Sequence, residues 1–136
     1  MEYKVTQRLM DVLRPLKAHH YQSHSLLYPK AIEFIAQNYH RPIGLSDLGK
    51  ALNVTPHYIS RLLSKEGAPG RNTFTELLPE YRIEAAKRLI QKGVPLKNVA
   101  FEVGFHSTSY FSKSFRKNTG MTPREYQKLF ESGHAS

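Results

Sequence analysis

The sequence predicts an all-α chain in which a pair of short helices occurs twice, once on each side of a longer helix. Three observations carry that expectation. Apolar residues recur at helical spacing wherever a pattern exists, and no segment alternates in the manner of a strand. Gly, Pro and Ser/Thr divide these segments at short intervals. The apolar positions of one stretch also reappear 51 residues later in another, with residue type kept.

At 136 residues there is room for one ordinary domain, or for two very small ones that share an element. Hydrophobic residues at 40% are enough to bury a core. Twenty Lys and Arg against eleven Asp and Glu give +9, a balance that favours a polyanionic partner such as nucleic acid or an anionic membrane. The absence of Cys excludes a disulfide scaffold, a Cys-based zinc site and a thiol nucleophile. No stretch approaches the roughly 18 to 20 apolar residues of a membrane span, and Met1 to Arg8 lacks the apolar run of a secretion signal. The expected setting is the cytoplasm, at the nucleoid, with no membrane partner.

Taken in order, Val5, Leu9, Val12, Leu13 and Leu16 predict a first amphipathic helix, interrupted by Pro15 and the polar cluster Lys17 to Ser25. That cluster reads as a linker or a frayed helix end. Pro29 suits the start of the next helix, whose face carries Ile32, Ile35 and Ala36, and Pro42 stops it. Leu48, Ala51 and Leu52 mark a short helix; Thr55 as N-cap and Pro56 at the first helical position open another, with Ile59, Leu62 and Leu63. Only Asn53 and Val54 separate the pair. After the polar break Glu66 to Asn72, a longer helix runs from about Phe74 to Gln91 and is closed by Gly93. Pro79 predicts a kink there, or a start nearer Leu78.

The repeat is the most informative feature. Leu45, Leu48, Leu52 and Val54 return as Leu96, Val99, Val103 and Phe105; after one inserted residue, Tyr58, Ile59, Ser60, Arg61, Leu63 and Lys65 return as Tyr110, Phe111, Ser112, Lys113, Phe115 and Lys117. Gly49 maps onto Ala100, where crossing helices need close approach. Asn53 maps onto Gly104 in a turn that favours positive φ. A short helix, a tight turn and a second, basic helix form the helix-turn-helix arrangement, whose second helix enters the major groove. The long helix between the units, about 18 residues at about 1.5 Å each, spans about 27 Å, comparable to the roughly 34 Å between successive major grooves.

Val99-Ala100-Phe101-Glu102-Val103-Gly104-Phe105-His106-Ser107-Thr108-Ser109-Tyr110-Phe111-Ser112-Lys113-Ser114-Phe115-Arg116-Lys117, followed by Gly120-Met121-Thr122-Pro123 and Tyr126, resembles the signature of the AraC/XylS family of bacterial transcription regulators. The resemblance extends over about Leu26 to Phe130. Tyr81-Arg82-Ile83 with Ala86, Leu89 and Ile90 is similar to the family's linker helix, and Leu45 to Leu63 to its first helix-turn-helix. It implies homeodomain-like three-helix units in a DNA-binding domain at 29–131, divided into 29–72, the linker helix 73–92 and 93–131. An amphipathic helix and linker at 1–28 precede it, and a tail at 132–136 follows.

By that resemblance His57, Ser60 and Arg61 face bases in the first unit, and Thr108, Ser109, Ser112 and Lys113 in the second. Arg61 has the fork for guanine O6 and N7, whereas Lys113 is a point charge. Lys65, Arg116 and Lys117 are expected on phosphates. Promoter or operator DNA is the implied partner, no cofactor is needed, and the function implied is a sequence-specific regulator, an activator that positions RNA polymerase. Two departures stand out: the break Glu66 to Asn72 is slightly longer than the family's usual turn, and Pro79 falls inside the linker helix.

Other readings are weaker. Tyr58, Tyr110, Phe105, Phe111 and Phe115 share a face with aliphatics and read as core rather than as base-stacking rings. Lys87, Arg88 and Lys92 beside Glu84 read as a solvated face. His20 and His24 have i, i+4 spacing but no acid near enough to complete a metal site. No nucleophile elbow or Gly-rich phosphate loop marks an enzyme. A rival from another class is a basic helical interaction module that docks on polymerase or a sensor without sequence-specific DNA readout. A stand-alone regulator and the output end of a longer protein both fit; the Val5 to Leu16 helix, which offers a face for self-association, favours the second.

Overall fold

A computed structural model describes the backbone of residues 15–67 and 73–135, with side chains from 26 to 67 and from 73 to 131. Its helices are α1 (Pro15–Asn38), α2 (Leu45–Leu52), α3 (Pro56–Glu66), α4 (Phe74–Gln91), α5 (Leu96–Glu102), α6 (Thr108–Thr119) and α7 (Pro123–Ala135). No strand occurs among the described residues. The described residues are all-α, as the periodicity predicts.

One boundary differs from the expectation. Helix α1 is continuous through 17–25 and past Pro29, where a linker and a helix start are expected. Pro29 costs one backbone hydrogen bond, but it is exposed, and fully buried Ala31 and Ile35 anchor the turns beyond it. Helix α4 begins at Phe74 and continues through Pro79, so neither proline ends its helix. Thr73 precedes it and donates its hydroxyl to Glu76 at 3.0 Å. Gly93, at φ +91°, follows the last turn, as expected. The predicted helix from Val5 and the segment 68–72 lie outside the described residues.

Two apolar clusters form, and α4 belongs to both. Leu77 and Leu78 from its first half join Ala31, Ile35, Ile43, Leu48, Ile59 and Leu63. Ile83, Ala86 and Ile90 from its second half join Val99, Ala100, Val103, Phe105, Phe111 and Phe115. Helices α1, α2 and α3 thus pack as one unit and α5, α6 and α7 as the other, each closed by a stretch of α4. Tyr39, just past α1, packs on both clusters. At the far end Gln91 donates its side-chain amide to the Tyr126 hydroxyl at 2.9 Å, and the Tyr126 ring meets Phe115 edge-on at 5.4 Å. That pair of contacts ties α7 to both α4 and α6.

Candidate nucleic-acid interface

The two turns that aim α3 and α6 are built alike. The Val54 amide donates to the Gly49 carbonyl, and the Phe105 amide to the Ala100 carbonyl, each at 2.9 Å. The next helix is then capped in the same way: the Thr55 hydroxyl accepts from the Tyr58 amide and the Ser107 hydroxyl from the Tyr110 amide, each at 3.1 Å. Such caps satisfy amides that have no partner within the helix. The caps are 52 residues apart and the turn carbonyls 51, so the inserted residue is His106. In the shorter first turn, a β-carbon on Gly49 would lie 2.6 Å from the Val54 carbonyl oxygen. The close approach expected at Gly49 is therefore to its own turn.

Positive φ appears where the pattern asks for it, but in two versions. Asn53 sits at φ +62°, in the left-handed region that Asn tolerates, whereas Gly104 sits at φ +108°. A β-carbon on Gly104 would also lie 2.8 Å from both the Arg82 Nε and the Tyr39 carbonyl oxygen. The second turn accepts only glycine for two separate reasons.

In α3 the buried residues are Ile59, Leu62 and Leu63; in α6 they are Phe111, Ser114 and Phe115, 52 residues on. At about 100° per residue, the direction opposite each buried arc carries His57, Arg61 and Ser64 in α3, and Ser109, Lys113 and Arg116 in α6. Ser60 and Lys65 flank the first stripe; Ser112 and Lys117 flank the second in the same register. Thr108 opens α6, where Pro56 opens α3. All ten sequence-predicted residues are exposed and lie on these two helices.

Arg116 is expected on a phosphate. It shares the outermost stripe with Ser109 and Lys113, a position the repeat alone would have shown through its counterpart Ser64. Helix α6 has no acidic residue, and α3 has only Glu66 in its last turn. Arg61, Lys65, Lys113, Arg116 and Lys117 make no side-chain hydrogen bond or ion pair among the described residues. Their charge is available to an incoming polyanion. Lys113 and Lys117 also border a narrow cleft of about 160 Å³ against Thr75, Glu76 and Pro79 of α4, so the acid of the linker helix stands beside one edge of α6.

Among the aromatics, Phe105, Phe111 and Phe115 are core, as expected. Tyr110 is not: it is 49% exposed, because its place beside the buried arc leaves only one edge packed on the Phe105 ring. Lys87 pairs with Glu84 at 3.0 Å, while Arg88 and Lys92 are exposed. The side chains of His20 and His24 lie outside those described.

A family model described as a helix-turn-helix domain matches residues 48–129. The chain belongs to the AraC-type helix-turn-helix family. The C-terminal domain of AraT, a response regulator from Geobacillus stearothermophilus, is similar at a TM-score of 0.68 and 29% identity, over 76% of this chain and 84% of that one. A DNA-binding transcriptional dual regulator from Escherichia coli K-12 superposes at 0.68 with 31% identity, over 78% of this chain and 93% of that one. Among curated relatives, the HTH-type transcriptional regulator YijO of Escherichia coli is 36% identical over 108 residues, which cover 78% of this chain and 37% of that protein. GadX of the same species is 39% identical over 85 residues, covering 62% and 30%. The chain thus spans about a third of the length of these two curated relatives. These relatives are named as regulators.

Proposed function

We propose that the chain is the DNA-reading part of a sequence-specific transcription regulator, with residues 29–131 as the binding domain and α3 and α6 as recognition helices in successive major grooves. The observation that carries this reading is the repeated outward stripe. His57 and Arg61 in one helix, and Ser109 and Lys113 in the other, stand opposite their cores, with Ser60 and Ser112 flanking them and Thr108 at the start of α6, on helices that share the fixed support of α4. Arg61 reads guanine through its fork, and Lys113 reads guanine or holds phosphate. Lys65 and Lys117 hold phosphates at the edges, and Arg116 adds a cation to the second stripe.

A selection from random duplex DNA followed by footprinting tests the reading. Two protected major-groove patches about 10 base pairs apart are expected. One protected patch would reject two-groove binding, and equal binding to random duplex at every salt concentration would reject sequence readout. An activator role, with RNA polymerase as a partner in the cytoplasm, follows from the family resemblance. It is checked by whether the footprint adjoins a promoter whose transcription rises on binding.

A further inference from the structure

Arg82, midway along α4, is a cation 7% exposed between two apolar clusters. Its Nε donates to the Tyr39 carbonyl at 2.7 Å and an Nη to the Arg41 carbonyl at 3.0 Å, both just past the end of α1 in the first unit. Its guanidinium carbon also lies 5.6 Å from the centroid of the Phe105 ring, in the turn of the second unit. Gly104, the residue before that ring, has its β-position filled by the same Nε and the same Tyr39 carbonyl. One side chain therefore touches the first unit where the chain leaves α1 and the second unit in the turn that leads to its recognition helix.

A leucine would fill an apolar seam without the cost of burying charge. That cost is visible here, since burial pulls the guanidinium pKa below its usual value, with the Tyr110 phenol opposing. No carboxylate among the described residues pairs with it. What the guanidinium supplies instead is a rigid fork that satisfies two carbonyls and a flat face for an aromatic ring, a geometry that an ammonium or an apolar side chain cannot reproduce.

We infer that Arg82 is a positioning residue: it locks the two helix-turn-helix units in one relative setting and thereby fixes the spacing between the two DNA half-sites that the chain accepts. The inference rests on the two-groove reading above for its spacing part only. With the lock in place, binding by one unit presents the other at a high effective concentration over its own half-site. With the lock removed, that advantage falls and spreads over several spacings.

The test uses the full chain and Arg82→Met, with Arg82→Lys, which keeps the charge but offers one ammonium nitrogen in place of the planar fork, carrying the same measurements if the first variant does not fold. Affinity is measured on duplexes with two selected half-sites at the optimal spacing and at one or two base pairs either side, and on duplexes with a single half-site. The wild-type chain should show a sharp optimum. The variant should lose about tenfold or more at that optimum, flatten across spacings, and stay within about twofold on single half-sites. A folded variant that keeps the wild-type spacing profile overturns the proposal. Residual dipolar couplings of the free protein separate the lock from the DNA reading: wild-type units should share one alignment, and variant units should not. Shared alignment in the variant overturns the lock. A wild-type chain with no spacing optimum overturns the two-groove reading, and the spacing role with it, while the couplings still decide the lock.

Discussion

Arg61 and Lys113 occupy equivalent places on their helices, yet the two cations differ in what they can read. A guanidinium grips guanine O6 and N7 together, so its loss removes a base-specific term; an ammonium or a flanking lysine contributes mostly charge. Arg61→Ala is expected to cost about 1 to 3 kcal/mol on the selected site and to relax discrimination at one base pair. Binding to a panel of single-base variants checks it, and unchanged discrimination would sink the base contact. Lys117→Ala is expected to weaken all sequences about equally and to reduce the log–log salt slope by about one unit. A salt titration on specific and random duplexes reads that slope directly.

Helices α2 and α5 are repeats whose equivalent small residues are not interchangeable. Gly49→Ala places a β-carbon against the Val54 carbonyl and is expected to destabilise by about 1 to 3 kcal/mol, despite the better helix propensity of alanine. The reverse change at the same register, Ala100→Gly, costs only about 0.5 to 1 kcal/mol. Denaturant unfolding of both variants checks the asymmetry, and equal losses would contradict the turn packing. The apolar repeat, the Thr55 cap and the positive-φ turns were legible in the sequence, because each depends on residues within one turn of helix. The continuity of α1 was not, since the polar run Lys17 to Ser25 carries no periodicity and Pro29 suggests an N-terminus. Tyr110 misled because ring chemistry says nothing about a position at the border of the buried arc. Arg82 enters the sequence reading only as one residue of a linker-helix motif. Its signal was present, as a cation at i+4 from Leu78 and i−4 from Ala86 on the stripe α4 buries.

For the whole molecule, the sharing of α4 between two cores has a thermodynamic consequence. Neither unit keeps its full core if α4 melts, so the described domain is expected to unfold in one transition despite its two clusters. Far-ultraviolet circular dichroism and tyrosine fluorescence should give coincident denaturant curves; separated midpoints would show independent units. Phe115→Ala, which empties the centre of the second cluster, is expected to cost about 3 to 5 kcal/mol and to lower both curves together. The net charge of +9 fits the same scale. Acids gather on α4 at Glu76, Glu80 and Glu84, while the recognition helices are nearly free of them, so the excess becomes two edges rather than a diffuse field.

The acceptors that Arg82 uses are main-chain oxygens, and this decides how the joint can drift in evolution. Any residue at position 41 offers the same carbonyl, so that partner leaves no side-chain signature for a search for covarying residues. What must be inherited is the path of the chain as it leaves α1, set in part by the Arg41 amide donating to the Asn38 carbonyl at 2.9 Å. Two lineages of this fold can therefore differ at position 41 and still keep the same angle between their DNA-facing helices.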